Sequence, residues 1–121
     1  MILGLRTAIY PSPDLDAAKA FYTEVLGVAP YYDQPYYVGF EVGGFELGLV
    51  PDAPPSVEGV KAYWGVANIE SALARVIALG GTPHDEIRDV GDGIRVAGVL
   101  DPNGNRFSLI ENPHFDLRKL R

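Results

Sequence analysis

The sequence predicts an α+β fold assembled from two copies of one βαβββ unit. Three observations carry that reading: an amphipathic helical segment that occurs twice, one strand-like run before each copy, and three such runs after it. The first copy, DLDAAKAFYTEVLG, begins at Asp14, and the second, NIESALARVIALGG, begins at Asn68. Asp14 matches Asn68, Leu15 matches Ile69, Ala18 matches Ala72 and Gly27 matches Gly81, all at one constant offset. A repeat of this kind fixes architecture, because each unit can bury its apolar face only against a neighbour.

Each helix carries its own boundary signals. Asp14 and Asn68 are side chains suited to cap a helix N-terminus, and Gly27 and the pair Gly80 and Gly81 stand where a helix stops. Leu15, Ala18, Tyr22, Val25 and Leu26 recur at three- and four-residue steps in the first, and Ile69, Ala72, Leu73, Val76 and Leu79 in the second. The flanking strands read LGLRTAIY, VAPYYD, YYVGFEV and FELGLV in the first unit, with a glycine turn VGG between the last two. In the second unit they read VKAYWGVA, TPHDEIRDV, GIRVAGVL and RFSLIE, the last two joined by the turn DPNGN. The chain therefore divides into module one at about residues 1–50, a proline-rich linker at 51–59, module two at about 60–112 and a tail at 113–121, all within one domain.

Alternation along the strands separates two faces. Ala8, Tyr10, Leu47, Leu49, Ala62, Trp64, Phe107 and Leu109 fall on the face expected to meet the helices, whose own core candidates are Leu15, Phe21, Tyr22, Leu26, Leu73 and Val76. The opposite parity carries Thr7, Ile9, Glu46, Gly48, Lys61, Tyr63, Ser108 and Ile110, with glycines at 48 and 65 expected to leave room above the sheet.

Composition excludes several classes of function. A content of 47% hydrophobic residues in 121 is enough to form a core, and no apolar run approaches the roughly 20 residues of a membrane span. MILGLR is too short and wrongly flanked for a signal peptide, so a soluble cytoplasmic protein with no membrane partner is expected. There is no cysteine, so a metal would need His, Asp or Glu. A net charge of −6 with 10 basic residues argues against nucleic acid as a partner.

The segments DLDAAKAFYTEVLG and DPNGNRFSLIE together resemble the vicinal oxygen chelate superfamily, which includes glyoxalase I, bleomycin resistance proteins and extradiol dioxygenases. The resemblance implies that the two modules curve into an incomplete barrel, the glyoxalase-like fold, with the ligand on its concave face. It also implies metal ligands on the first and last strands of each module. Carried onto this sequence, those positions are Thr7, Glu46, Lys61 and Ser108. Only Glu46 is an ordinary metal ligand, since a hydroxyl is weak and an ammonium has no lone pair. No metal and no cofactor is therefore expected, and Lys61 either pairs with Glu46, directly or through bound ligand, or reaches to the rim and leaves Glu46 solvated. His84 and His114 lack the spacing to aim at Glu46 and are read as solvent-facing or locally hydrogen-bonded.

The candidate ligand-binding set is Thr7, Tyr36, Tyr37, Glu46, Lys61, Tyr63, Arg106 and Ser108. Tyr36 and Tyr37 belong to the run PYYDQPYY, whose tyrosines combine an apolar ring with a polar tip. Arg95 and Arg106 are candidate anchors for an anion. The leading functional expectation is a metal-free protein that binds a small organic molecule and forms a homodimer. The alternatives are a metal-free lyase or isomerase with Glu46 as catalytic general base, and a metal-dependent glyoxalase-like lyase or dioxygenase.

Overall fold

A computed structural model describes residues 7–57 and 62–114. The order of elements is β1 (Thr7–Pro11), α1 (Leu15–Leu26), β2 (Tyr32–Gln34), β3 (Tyr37–Val42), β4 (Phe45–Val50), β5 (Tyr63–Gly65), α2 (Ile69–Ala78), β6 (Thr82–Gly91), β7 (Ile94–Leu100) and β8 (Arg106–Glu111). This is βαβββ twice. The strands form two four-stranded sheets, ordered β1-β4-β3-β2 and β5-β8-β7-β6, so the barrel stays incomplete. In each sheet the first strand runs parallel to the last strand of its module, and the other pairs are antiparallel.

Both helix starts follow the sequence. Asp14 accepts a hydrogen bond from the Ala17 amide at 3.1 Å, and Asn68 accepts one from the Ser71 amide at 2.9 Å. Gly27 ends α1 in the left-handed conformation, with φ 72°, where a side chain would be strained. One expected strand is much shorter than its apolar run: VAPYYD contributes only its last two residues to β2. Pro30 has no amide to donate and Pro35 ends the segment, which leaves a short edge strand at Tyr32–Gln34.

The helix-facing parity holds. Tyr10, Leu47, Leu49, Phe107 and Leu109 are buried, and Ala8, Ala62 and Trp64 are partly buried against the same core. From the helices Phe21, Tyr22, Ile69 and Val76 are buried, whereas Leu15, Leu26 and Leu73 pack only at the core's margin. The core is shared by both modules. Trp64 and Phe21 of different modules lie 5.6 and 6.4 Å from the Phe107 ring, and the Trp64 indole donates to the Tyr10 hydroxyl at 3.0 Å. Burial raises the Tyr10 phenol to about 12, so it stays protonated.

The DPNGN turn closes this arrangement from outside. Asp101 accepts from the amides of Asn103 and Asn105 at 2.9 and 3.0 Å and from the Tyr22 hydroxyl of α1 at 2.8 Å. Asn103 reaches back to the N-cap itself, accepting from the Asp14 amide at 2.8 Å and donating to the Asp14 carbonyl at 3.1 Å. Asn105 donates to the Pro11 carbonyl. The turn of module two thus caps and clasps the helix of module one, and both segments that carry the family resemblance meet here.

Candidate functional site

The helix-free face of the first sheet is built around Glu46. Leu47 and Leu49 point into the core, so alternation turns Glu46 and Gly48 the other way. The parallel pairing of β1 with β4 sets Thr7 directly beside Glu46, and the antiparallel pairing of β3 with β4 sets Gly39 against Gly48. Two paired glycines leave a trough in the sheet, and the Tyr37 ring fills it. A Cβ at Gly48 would lie 2.7 Å from the Tyr37 ring, and one at Gly39 would lie 3.2 Å from the Tyr31 and Tyr37 rings and 2.9 Å from a Glu46 oxygen. The room expected above Gly48 is therefore taken by Tyr37; Gly65 has nothing within 4 Å of its Cβ position.

Three hydroxyls converge on the one carboxylate. Thr7 and Tyr37 donate to Glu46 Oε1 at 3.1 and 2.6 Å, and Tyr31 donates to Oε2. Burial pushes the Glu46 carboxyl upward, but the donations from Tyr31, Tyr37 and Thr7 outweigh it and hold the group below the usual carboxylate value. The tyrosines shift the opposite way. The bond to Glu46 raises the Tyr31 phenol, while burial first and then that bond raise Tyr37. At neutral pH the arrangement is one anion held by neutral donors. Thr7, Tyr31, Glu41, Gly44, Phe45 and Glu46 line an open pocket of about 280 Å³ beside it. Glu41 stands opposite Glu46 across the strand pair and accepts from the Gly44 amide at 2.6 Å.

Of the residues selected from sequence, Thr7, Tyr37 and Glu46 come together. Tyr63 and Ser108 are paired on the second sheet, where Ser108 is buried and Tyr63 is exposed. Arg106 lies on the same sheet, 3.4 Å from the carboxylate of Asp85 and 3.4 Å from the His84 ring. Tyr36 is not part of the Glu46 group: it sits in the turn between β2 and β3, exposed, with its hydroxyl on that of Tyr32. Lys61 lies outside the described residues, and so does the choice between pairing with Glu46 and reaching to the rim. Arg95 is not an open anion anchor, because it is bonded to Glu70 and Glu111. His114 is locally bonded to the Asp92 carbonyl at 2.9 Å. Tyr31 is the site residue that the sequence reading passed over. Its signal was the glycine at 39, whose missing side chain leaves space for two rings.

Two sheets on a repeated βαβββ plan, helices outside and a polar group on the inner face define the glyoxalase-like class of ligand-holding folds. A sequence profile described as the Glyoxalase/Bleomycin resistance protein/Dioxygenase superfamily matches residues 4–109, and the chain belongs to that superfamily. Lactoylglutathione lyase from Agrobacterium tumefaciens superposes with a TM-score of 0.79 at 22% identity, covering 96% of this chain and 100% of that one. A superfamily member from Sphaerobacter thermophilus superposes at 0.76 with 22% identity, over 93% of this chain and 99% of that one. CFP32 of Mycobacterium bovis, named provisionally as a glyoxylase, is 29% identical over an alignment of 107 positions that covers 79% of this chain. The matched stretch spans only 41% of that longer relative.

Among the described residues, those at the positions the resemblance marks as metal ligands, Thr7, Glu46 and Ser108, do not fit a metal ion. Thr7 and Ser108 offer neutral hydroxyls, and Glu46 already accepts from three donors. A transition metal needs three or more imidazole, thiolate or carboxylate ligands, and among the described residues no such group is assembled.

Proposed function

We propose that this chain binds a small organic molecule without a metal, on the helix-free face around Glu46. The observation that carries the reading is the hydroxyl clamp on Glu46, which occupies a ligand position with a preformed, ionised hydrogen-bond acceptor. The same clamp disfavours general-base catalysis. A base working near neutral pH needs its proton affinity raised, and three donated hydrogen bonds lower it. The lyase and dioxygenase activities of relatives are thus not carried over to this chain. Homodimerisation and a cytoplasmic location belong to the same proposal; the exposed rings of Tyr32 and Tyr36 on the edge of the first sheet supply apolar surface for a second copy.

Native mass spectrometry of the purified protein tests both parts at once. A dimeric mass carrying a retained organic adduct, with the adduct lost in Glu46→Gln, is the expected outcome. An adduct retained undiminished by Glu46→Gln would place the ligand elsewhere, and a monomeric mass at tens of micromolar would remove the dimer.

A further inference from the structure

We propose that the ligand held at Glu46 is an organic cation that carries N–H donors on an aromatic or apolar body, such as an arylalkylammonium or an amidinium. This deepens the preceding reading and rests on it.

The two tyrosines of the clamp are held very differently. Tyr37 lies in the Gly39 and Gly48 trough, wedged so closely that no side chain fits beneath it. Tyr31 precedes the edge strand, is 63% exposed, and is the donor to Glu46 Oε2. One carboxylate oxygen is therefore built into the sheet with Tyr37 and Thr7, and the other is held by a side chain that solvent reaches over most of its surface. Glu46 and Tyr31 line the open pocket together.

The chemistry of the exchange favours a cation. Tyr31 satisfies Oε2 as a hydrogen-bond donor but, being neutral, brings no positive charge to the carboxylate. Among the described residues no lysine or arginine lines the pocket, and the second carboxylate, Glu41, stands across the strand pair from Glu46. An N⁺–H donor makes a charge-assisted bond that is stronger than the neutral phenol's. It also gains from the exposed Tyr31 ring, since aromatic faces attract cations electrostatically. A carboxylate or phosphate ligand would meet two like charges in the same pocket, and a neutral alcohol would merely replace one hydroxyl with another.

The test uses the full chain and four probes of similar size: benzylammonium, benzamidinium, benzyl alcohol and benzoate. Calorimetry gives affinity, and amide and carboxyl chemical shifts locate the bound probe. The two cations are expected to bind saturably, with shifts centred on Thr7, Gly44 and Glu46. Affinity should fall at least about tenfold in Glu46→Gln and rise about threefold in Tyr31→Phe, where the competing hydroxyl is gone. The rise in Tyr31→Phe is the discriminating sign, because a purely structural tyrosine would give a loss. If benzyl alcohol or benzoate binds at Glu46 as tightly as the cations, the ligand class is wrong while the site reading stands. Shifts centred away from Thr7 and Glu46 would overturn both, and no saturable binding by either cation would overturn the class.

Discussion

Gly48 and Tyr37 are a matched pair, and their relation is the sharpest residue-scale feature of the site. Adding one methyl at position 48 puts a carbon 2.7 Å from the Tyr37 ring and 2.8 Å from the Ile9 methyl, with the phenol oxygen nearer still. Gly48→Ala should therefore expel Tyr37 from the trough at a cost of about 1–3 kcal/mol in urea unfolding. Retention of native stability would mean that the ring is not seated there. The clamp also makes a prediction in pH. Tyr31 owes its raised phenol first to its bond with Glu46, whereas Tyr37 owes its first to burial. In Glu46→Gln, ultraviolet titration should return Tyr31 toward the ordinary value near 10 while Tyr37 stays high. Because the folded phenol is raised, the bond's contribution is complete below about pH 10 and disappears as pH rises through the folded value. Glu46 is lowered instead, so its contribution is complete above about pH 4.3 and disappears as pH falls through its own folded value. Tyrosine titrations unchanged by Glu46→Gln would remove the clamp from the account.

At the scale of elements, the DPNGN turn is a structural clasp rather than a part of the site. Asp101 is buried and receives the Tyr22 hydroxyl together with two amides, so Asp101→Ala leaves several buried donors unpaired. The expected loss is about 2–4 kcal/mol, against about 1 kcal/mol for the exposed Asn103→Ala bonds to the α1 cap. Chemical denaturation of both variants checks the order, and equal costs would show that the clasp works through Asn103 instead. The helices, caps and face parity were all legible in the sequence, because amphipathic spacing and capping are local. The extent of β2 was not: Tyr32–Gln34 depends on where prolines 30 and 35 stop the ladder. Leu73 was read as core from its spacing but sits at the margin, since α2 turns Ile69 and Val76 inward.

At the scale of the molecule, the fold was readable and the site only in part. Thr7 and Glu46 come from the family resemblance, which marks first- and last-strand positions, and the structure sets the two side by side. Tyr31 requires knowing that Gly39 and Gly48 pair across two strands, a non-local fact. Tyr36 was chosen with Tyr37 because the two are adjacent, but a turn separates their directions. The proposal of a metal-free site rests on the same register, which sets the hydroxyl of Thr7 beside the carboxylate of Glu46. The most direct measurement of that claim is thermal unfolding of the native protein with and without zinc, nickel, manganese and iron(II). A metal held only by the folded state raises the melting temperature by mass action. The account predicts no shift with any of the four. A reproducible rise with one of them, abolished in Glu46→Gln, would contradict it.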